Sequence, residues 1–220
     1  MLLSMMSESA RAALLQRSAP ISFGPGEAIF TEGSPGETMI FVQDGRVEIS
    51  RMTMGGRRSV LNHVGPGEVL GEVALLDGQG RSADAIALSE VTGRVVHRRD
   101  VLAFVAAAPE STLMLIAELC SKVRNASDMF SIQSETHAPT RLAQCLLRLG
   151  EKWGVAGENG AVRIPGKFSQ SDLGAFSGLA RENVNRHLRG WASDRVVTLE
   201  PDALMLHRPD VLARLAEGTD

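Results

Sequence analysis

The chain contains 220 residues, of which 44% are hydrophobic and 22% charged, and its net charge at pH 7 is −3. This composition is ordinary for a folded globular protein, so it excludes disordered, collagen-like and low-complexity classes. The length exceeds the ~100–150 residues of a usual domain and is sufficient for two small ones. The net negative charge argues against non-specific wrapping of nucleic acid by the whole chain, but it leaves room for a local basic patch.

Cysteine usage and hydropathy restrict the cellular setting. Two distant cysteines, Cys120 and Cys145, provide neither a disulfide framework nor the ligands of a zinc or iron–sulfur centre. No stretch approaches the ~18 uninterrupted apolar residues of a membrane-spanning helix. Residues 1–17 carry Glu8 and Arg11 in their apolar run and do not resemble a signal peptide. The sequence therefore predicts a cytoplasmic protein with no membrane partner.

Residues 20–100 contain glycine every few positions, with short apolar runs between the glycines. The Asp44-Gly45 pair lies between two alternating segments, and this pattern predicts a tight β-hairpin. Short strands at roughly ten-residue spacing predict an antiparallel sandwich or jelly roll. The further strand candidates are residues 28–30, 60–64, 69–75, 83–88 and 91–97.

The tetrapeptide Gly-Pro-Gly-Glu occurs at residues 24–27 and again at 65–68, and each copy precedes an apolar run. Proline favours a turn, and glycine adopts the positive φ that many turns need. We interpret the repeat as two equivalent corners of a folded-over antiparallel sheet. Coincidence in a turn-rich sequence is the alternative.

Glycine is absent from residues 109–136, and Pro109 is well placed to begin a helix. Small or apolar residues recur in this segment at alternating spacings of three and four, which is the heptad pattern of paired helices. We expect a parallel helix pair between two subunits; a helix packed on its own domain is the alternative. The predicted seam consists of Leu113, Ile116, Cys120, Val123, Ser127, Phe130 and Ser134.

Residues 139–220 are mostly helical in pattern, and a final pair of short strands, 196–199 and 204–206, is predicted on either side of a Pro-Asp turn. Two short helices, 169–176 and 180–191, flank a Ser-Gly-Leu turn. Two helices joined by a tight glycine turn are the plan of a helix-turn-helix, whose second helix enters the major groove of DNA.

The predicted second helix carries side chains suited to base recognition. Arg181 and Arg186 can each form paired bonds to guanine, and Glu182 can accept from cytosine. Between residues 180 and 195 there are four arginines and two acidic residues, so this segment is locally positive on a negative chain. A solvated, charged helix face is the alternative interpretation.

Residues 71–83 are predicted to form a loop in which several glycines permit tight turns, and this loop carries Glu72, Arg81 and Ser82. A bound phosphate favours a guanidinium, a hydroxyl and free backbone N–H groups, which Arg81, Ser82 and the N–H of Ala83 can supply. The carboxylate of Glu72 can accept from a ribose hydroxyl. From the residues alone, an internal Glu72–Arg81 salt bridge across the loop is the alternative.

This segment resembles the phosphate-binding cassette of cyclic-nucleotide-binding domains, and nearly the whole chain is similar to bacterial Crp/Fnr regulators, in particular the cyclic-AMP receptor proteins. The resemblance rests on Gly-Glu and Arg-Ser-Ala at the family's spacing. It implies an α+β fold in three parts. These are a cyclic-nucleotide-binding β-roll (jelly roll) over residues 1–108, a long dimerisation helix over 109–137, and a winged helix-turn-helix over 138–220.

The resemblance also implies roles in the cassette. Glu72 would take the ribose 2′-hydroxyl, and Arg81 and Ser82 would take the cyclic phosphate of cAMP, or of cGMP. The predicted nucleotide-site residues are Gly71, Glu72, Val73, Arg81, Ser82, Ala83, Asn125 and Ser127.

In this family a Thr-Ser pair on the dimerisation helix contacts the purine across the subunits, and the alignment places Ala126 and Ser127 there. Ser127 matches the pattern, whereas Ala126 lacks a hydroxyl. The choice between cAMP and cGMP is therefore left open. Asn125, beside Ala126, is the candidate for a compensating contact.

For DNA, the resemblance implies that Arg181, Glu182 and Arg186 read a TGTGA-type half-site of a two-fold symmetric operator. Ala180 departs from the family, which often has a serine there that caps the helix and meets a phosphate. Loss of a capping hydroxyl typically costs ~1 kcal/mol of stability. The predicted DNA contacts are Ser169, Gln170, Ala180, Arg181, Glu182, Asn183 and Arg186.

These features predict a homodimeric, non-enzymatic transcription regulator that binds double-stranded DNA, with RNA polymerase as a further partner. A regulator of the same fold that answers to a different effector, or that is active without ligand, is the alternative that Ala126 supports. A cupin-like metal enzyme is the rival from another class, but it needs several converging histidines. The first hundred residues contain only His63 and His97, so we predict no metal or catalytic site.

Overall fold

The computed structural model describes residue 12 and residues 14–107 and 109–218, and the chain divides into two compact units with the boundary after Ser127. The first unit contains two four-stranded antiparallel sheets, with strand orders β1-β8-β3-β6 and β2-β7-β4-β5. The strands are β1 Ala19–Phe23, β2 Ala28–Phe30, β3 Thr38–Asp44, β4 Val47–Met52, β5 Arg58–Val64, β6 Val69–Leu70, β7 Asp84–Ala87 and β8 Val91–His97.

Alternate side chains of β3 belong to two different cores, because successive residues of a strand point to opposite faces. Ile40 and Val42 pack between the sheets with residues of β4, β5 and β7. Met39 and Phe41 point to the other face and pack against helical residues, among them Leu75. The strand is thus covered on both faces, which explains its continuous run of apolar residues.

The helices α1 Glu72–Asp77, α2 Arg98–Ala107 and the long α3 Pro109–Ser134 follow these sheets or lie between their strands. Leu115 of α3 is buried in the same cluster as Met39 and Phe41. Among the helices in the described part of the chain, none is both long enough and apolar enough to cross a membrane.

The two Gly-Pro-Gly-Glu segments form matching corners, as the sequence predicted. Gly26 and Gly67 have φ of 83° and 82°. Gly26 N donates to Ala87 O at 2.8 Å, and Gly67 N donates to Val42 O at 2.9 Å. In both corners the glutamate carboxylate accepts from the N–H of the first glycine, at 2.9 Å for Glu27 and 2.8 Å for Glu68. The repeat therefore has structural meaning.

The predicted hairpin at Asp44-Gly45 is wrong, although the turn itself is present. Gly45 has φ 92°, and a Cβ there would lie 2.1 Å from Glu90 O. The turn carries the chain from one sheet to the other, because β3 pairs with β8 whereas β4 pairs with β5 and β7. The doubly buried β3 belongs in the middle of the first sheet, and this burial overrides the local hairpin signal.

The predicted strand 69–75 is also wrong beyond its first two residues. Gly71, with φ 86°, ends β6, and α1 begins at Glu72. A second left-handed glycine, Gly78 with φ 73°, ends α1. A short apolar run fits a helix as well as a strand, and here the two glycines define a single short helix.

The second unit has a winged-helix arrangement, with an antiparallel sheet of order β11-β12-β10-β9. Its core contains Leu142, Ile164, Leu173, Val184 and Leu204, which are all buried. The α+β fold class of the sequence analysis is thereby confirmed. The elements are α4 Ala138–Trp153, β9 Val155–Ala156, a 3₁₀ turn Glu158–Gly160, β10 Val162–Pro165, α5 Gln170–Ser177, α6 Arg181–Ser193, β11 Val197–Leu199, β12 Ala203–Leu206 and α7 Pro209–Ala216.

Candidate functional site

A cavity of about 240 Å³ opens in the first unit between the second sheet, α1 and α3. It contains seven of the eight predicted nucleotide-site residues; Ser127 does not line it. A β-bulge between Ile49 and Ser50 changes the register of β4 against β5 beside the cavity. The lining residues are Phe30, Ile49, Leu61, Asn62, Leu70, Gly71, Glu72, Val73, Ala74, Arg81, Ser82, Ala83, Lys122, Asn125 and Ala126.

Glu72, the first residue of α1, is almost fully buried in the cavity wall. Its Oε1 lies 3.2 Å from Nζ of Lys122, which also donates to Val69 O at 2.9 Å. Its Oε2 is buried and accepts no hydrogen bond from the described residues. A buried acceptor without a donor is costly, so this oxygen suits a hydroxyl group entering the cavity.

Arg81 is buried beside the cavity, 6% exposed. Nη1 donates to Thr38 O at 2.8 Å and to Gly71 O at 2.9 Å, and Nη2 donates to Thr38 Oγ1 at 2.9 Å. The guanidinium also lies 4.4 Å from the ring centroid of Phe30. Burial lowers the pKa of Arg81, and the charge of Glu72 partly offsets this effect. The Nε group is buried and has no hydrogen-bond acceptor among the described residues.

The predicted alternative, a Glu72–Arg81 salt bridge, is not the arrangement found, because Glu72 pairs with Lys122. Sequence reasoning missed Lys122, and a signal was available. Lys122 lies three residues before Asn125 on one helix, so the two side chains share a face. Thr38 and Phe30 were missed as well, and nothing local in the sequence connects them to Arg81.

Gly71 is required where the cassette begins. A Cβ at this position would lie 2.2 Å from Nη1 of Arg81 and 2.9 Å from Thr38 O. The backbone of the loop is held on its other side, since Gly33 N donates to Arg81 O and Arg81 N donates to Ser34 O, both at 2.8 Å. The backbone of Arg81 is therefore held by contacts within the protein before any ligand is considered.

The predicted seam of α3 is exposed. Leu113 is 70% exposed, Val123 65% and Phe130 75%, whereas Leu115 and Met129 on other faces of the helix are buried. Ser127 is exposed as well, and its hydroxyl donates to Val123 O at 3.0 Å. A row of large apolar side chains exposed along one helix face marks a surface for another protein chain.

The helix-turn-helix of the second unit is formed by α5 and α6. Ser169 begins α5 in a capping box: its Oγ accepts from Asp172 N at 3.1 Å, and its backbone N donates to Asp172 Oδ2 at 2.9 Å. Gly178, with φ 68°, ends α5. Ala180 occupies the N-cap position of α6, and no side chain in the described part of the chain caps this helix end.

Helix α6 has a buried face and a charged face. Val184, Leu188 and Trp191 are buried in the unit. Arg181, Glu182 and Arg186 are exposed, and Arg186 Nη2 donates to Asn183 Oδ1 at 2.9 Å. Gln170 of α5 donates from Nε2 to Asn185 Oδ1 at 3.3 Å. The predicted base-reading residues thus share one accessible surface.

His187 gives α6 a pH-dependent contribution to stability. Its Nε2 is buried without a hydrogen-bond partner among the described residues. Burial, followed by the charges of Arg186 and His137, lowers the pKa of His187 from its usual value of 6.5. The folded state therefore binds this proton less tightly than the unfolded chain, so the stabilisation is complete above pH 6.5 and is lost as the pH falls toward the lowered pKa.

We expect the free energy of unfolding to fall less steeply with decreasing pH in His187→Gln than in the unmodified protein. Urea unfolding between about pH 5 and about pH 8 measures this, because histidine charge changes in that range. The matched control is His97→Gln, which makes the same substitution at an exposed histidine of the first unit. Identical pH dependence in His187→Gln and the unmodified protein would contradict the assignment.

Among the described residues, no group of three or more His, Cys, Asp or Glu side chains is arranged to hold a metal ion. The predicted site residues instead form two arrangements, one in each unit. The cavity of the first unit offers an acceptor, cations and a hydroxyl. The surface of the second unit offers arginines, a glutamate and amides on a short helix.

Two family models match the chain: a cyclic nucleotide-binding domain over residues 20–108 and a Crp-like helix-turn-helix domain over residues 140–215. The chain is 30% identical to the CRP-like cAMP-activated global transcriptional regulator of Mycobacterium tuberculosis over 208 residues, which cover 94% of this chain and 92% of the relative. It is 32% identical to the Cyclic AMP receptor protein of Thermus thermophilus over 193 residues, 88% of this chain and 86% of the relative.

Among solved structures, the c-di-GMP responsive global regulator CLP of Xanthomonas campestris matches with a TM-score of 0.80. The match covers 91% of this chain and 99% of CLP at 17% identity, so it shows the fold alone.

A cyclic-nucleotide-binding domain followed by a Crp-like helix-turn-helix defines a DNA-binding transcription regulator. The chain belongs to the Crp family of these regulators. The resemblance to Crp/Fnr regulators that the sequence analysis described is therefore confirmed. The protein is a regulator rather than an enzyme.

Proposed function

We propose that this protein is a homodimeric regulator that a cyclic purine nucleotide switches onto a palindromic TGTGA-type DNA site. cAMP is the first candidate and cGMP the second. The observation that carries the proposal is the cavity in which the buried, unsatisfied Oε2 of Glu72 shares a wall with Arg81 and Ser82. Relatives of this chain are named as cAMP-activated, which supports cAMP as the effector.

The residues present fit such a nucleotide. Glu72 Oε2 would accept from the ribose 2′-hydroxyl, and so would gain the donor that it lacks in the protein. Ser82 and the N–H of Ala83 would donate to the cyclic phosphate, and Arg81 would contribute its charge and its unpaired Nε. Gly71 and Val73 would complete this end of the site, where Lys122 adds a second positive charge.

The other end of the cavity would hold the purine. Asn125 and Ala126 of α3 face it together with Leu61 and Asn62 of β5. Ser127 is exposed on the seam, so in a parallel helix pair it would serve the cavity of the partner subunit. This arrangement makes each nucleotide site depend on both subunits.

The exposed seam of α3 supports the homodimer, with the helix over residues 109–137 as its centre. A symmetric dimer carries two copies of α6, which suits two half-sites about one duplex turn, ~34 Å, apart. Arg181, Glu182 and Arg186 would read bases in each half-site. Ser169, Gln170, Ala180 and Asn183 would lie near the DNA backbone and position the helix.

The predicted partner, localisation and domain division follow from this role. A regulator that acts on promoter DNA would meet RNA polymerase as a further partner and would work in the cytoplasm. We retain the three-part division into residues 1–108, 109–137 and 138–220 as a working description.

A different effector is the second candidate, and Ala126 is the observation that favours it. The methyl group of Ala126 offers no hydrogen bond at the position where the family has a hydroxyl. CLP, which has the same fold, is described as c-di-GMP responsive. A regulator that binds its site without any ligand belongs to the same alternative.

The proposal is tested by fluorescence anisotropy with a palindromic TGTGA-type duplex, with cAMP, with cGMP and without nucleotide. We expect at least a ~10-fold gain in DNA affinity with one of the two nucleotides, a coupling within the usual range of allosteric proteins. Calorimetric titration of the protein with each nucleotide identifies the effector. Equal DNA affinity under all three conditions would contradict the nucleotide switch and favour the second candidate.

A further inference from the structure

We propose that Asn185 is an additional base-reading residue that selects an adenine in the half-site, and that Gln170 holds its amide in place. The proposal rests on the proposed binding of DNA by α6. It adds a residue that the sequence analysis did not single out.

Asn185 lies on the reading face of α6. It follows Arg181 by four residues and Glu182 by three, so its side chain is their neighbour on the helix surface. Asn185 is half-buried, whereas the adjacent Val184 is fully buried on the packing face. Asn185 therefore lies at the boundary between α5 and the exposed arginines.

The hydrogen bond from Gln170 fixes the orientation of the Asn185 amide, that is, the directions of its oxygen and its nitrogen. Gln170 Nε2 donates to Asn185 Oδ1 at 3.3 Å, so the oxygen is directed toward α5. A carbonyl oxygen has two lone pairs, and the amide nitrogen has two donors. Asn185 thus retains one acceptor and two donors after this contact.

An amide with an acceptor and a donor side by side matches adenine in the major groove. Its oxygen accepts from N6–H of the base, and its nitrogen donates to N7. The charged neighbours of Asn185 favour other bases, since arginine pairs with guanine and glutamate with cytosine. Asn185 would therefore add an A·T preference to a face that otherwise reads G·C pairs.

Asn183 differs from Asn185 although both are asparagines of one helix. Asn183 Oδ1 accepts from Arg186 Nη2 at 2.9 Å, so it orients an arginine of the same helix. Asn185 is instead oriented by the preceding helix. The two residues form a matched pair for experiment, because they have the same chemistry and different contacts.

The test selects half-sites from a randomised duplex library with the unmodified protein, Asn185→Ala and Asn183→Ala, and then measures affinities by anisotropy. For Asn185→Ala we expect the adenine preference at one base pair to disappear, with about a ten-fold loss on the preferred site. We expect Asn183→Ala to weaken binding without removing that preference. Thermal unfolding of each variant in the absence of DNA measures the stability lost with the substitution. It separates a change in DNA reading from a loss of the contact between α5 and α6.

Replacing the selected adenine by 7-deazaadenine removes the N7 acceptor and provides a double-mutant cycle. The unmodified protein should lose affinity on the substituted duplex, whereas Asn185→Ala should lose little more. Additive losses, or an Asn185→Ala variant that keeps the adenine preference, would overturn the proposal while the DNA-binding function stands. Absence of any selected half-site for the unmodified protein would overturn the proposed function and this inference together.

Discussion

Arg81→Ala is expected to weaken cyclic-nucleotide binding by about 100-fold. Charge-assisted hydrogen bonds to phosphate are among the strongest in proteins, and each contributes roughly 1.5–3 kcal/mol. The same substitution removes the side-chain donors to Thr38 O and Gly71 O, although Gly71 O still accepts from Leu75 N at 3.3 Å. A buried polar group that loses its partner costs about 1–3 kcal/mol, so the first unit should also lose stability. Calorimetric titration and thermal unfolding measure the two effects separately.

Arg94→Ala is the matched control for this loss of stability. Arg94 also donates three hydrogen bonds, to Ser18 Oγ, Leu15 O and Ser18 O, but it does not line the cavity. It should lower stability and leave nucleotide affinity unchanged. If Arg81→Ala fails to fold, Ser82→Ala replaces it, since Ser82 is exposed and its hydroxyl has the same proposed target. Unchanged nucleotide affinity in Ser82→Ala and in a folded Arg81→Ala would contradict the assignment of the cavity.

Phe130→Glu is expected to convert the proposed dimer to monomer at micromolar concentration and so to abolish tight binding to the proposed palindromic site. Phe130 is 75% exposed on the seam, and a symmetric pair would bury both copies. Truncation of a central interface aromatic costs about 2 kcal/mol or more, so two copies raise the dimer dissociation constant by about 1,000-fold. Two opposed carboxylates add repulsion.

Sedimentation velocity over a range of concentrations measures the effect of Phe130→Glu, with Ser121→Glu as the control. Ser121 is exposed on the same helix but lies outside the seam. This control should remain dimeric. A dimer of unchanged strength in Phe130→Glu, or a monomeric unmodified protein, would contradict the proposed interface.

Features that depend on neighbouring residues were predictable from the sequence. In each Gly-Pro-Gly-Glu corner the glutamate carboxylate accepts from the first glycine of the same four residues, so the motif alone indicates the turn. The helix-turn-helix has a capping box at Ser169 and a left-handed glycine at Gly178, and both are local signals. The heptad spacing likewise identified the exposed face of α3.

Features that depend on distant residues were not predictable in the same way. The Asp44-Gly45 turn is local, but the sheet that β4 joins is decided by its pairing with β5 and β7. The cassette residues were found through their resemblance to a family, whereas the Lys122–Glu72 pair joins elements far apart in the chain. Anchoring of Arg81 by Thr38 depends on the same long-range packing.

The Lys122–Glu72 pair has a thermodynamic consequence. Lys122 extends from the helix that carries the seam residues Cys120 and Val123, and Glu72 provides the carboxylate of the cavity. A ligand that breaks or strengthens this ion pair changes the free energy of the helix. If that change alters DNA affinity, linkage requires DNA to alter the affinity for the ligand by the same factor. Operator DNA should therefore raise nucleotide affinity by the same factor by which nucleotide raises operator affinity. If the proposed switch operates, the promoter itself would act as an effector, and protein bound at its sites would retain nucleotide at concentrations too low to load the proposed free dimer.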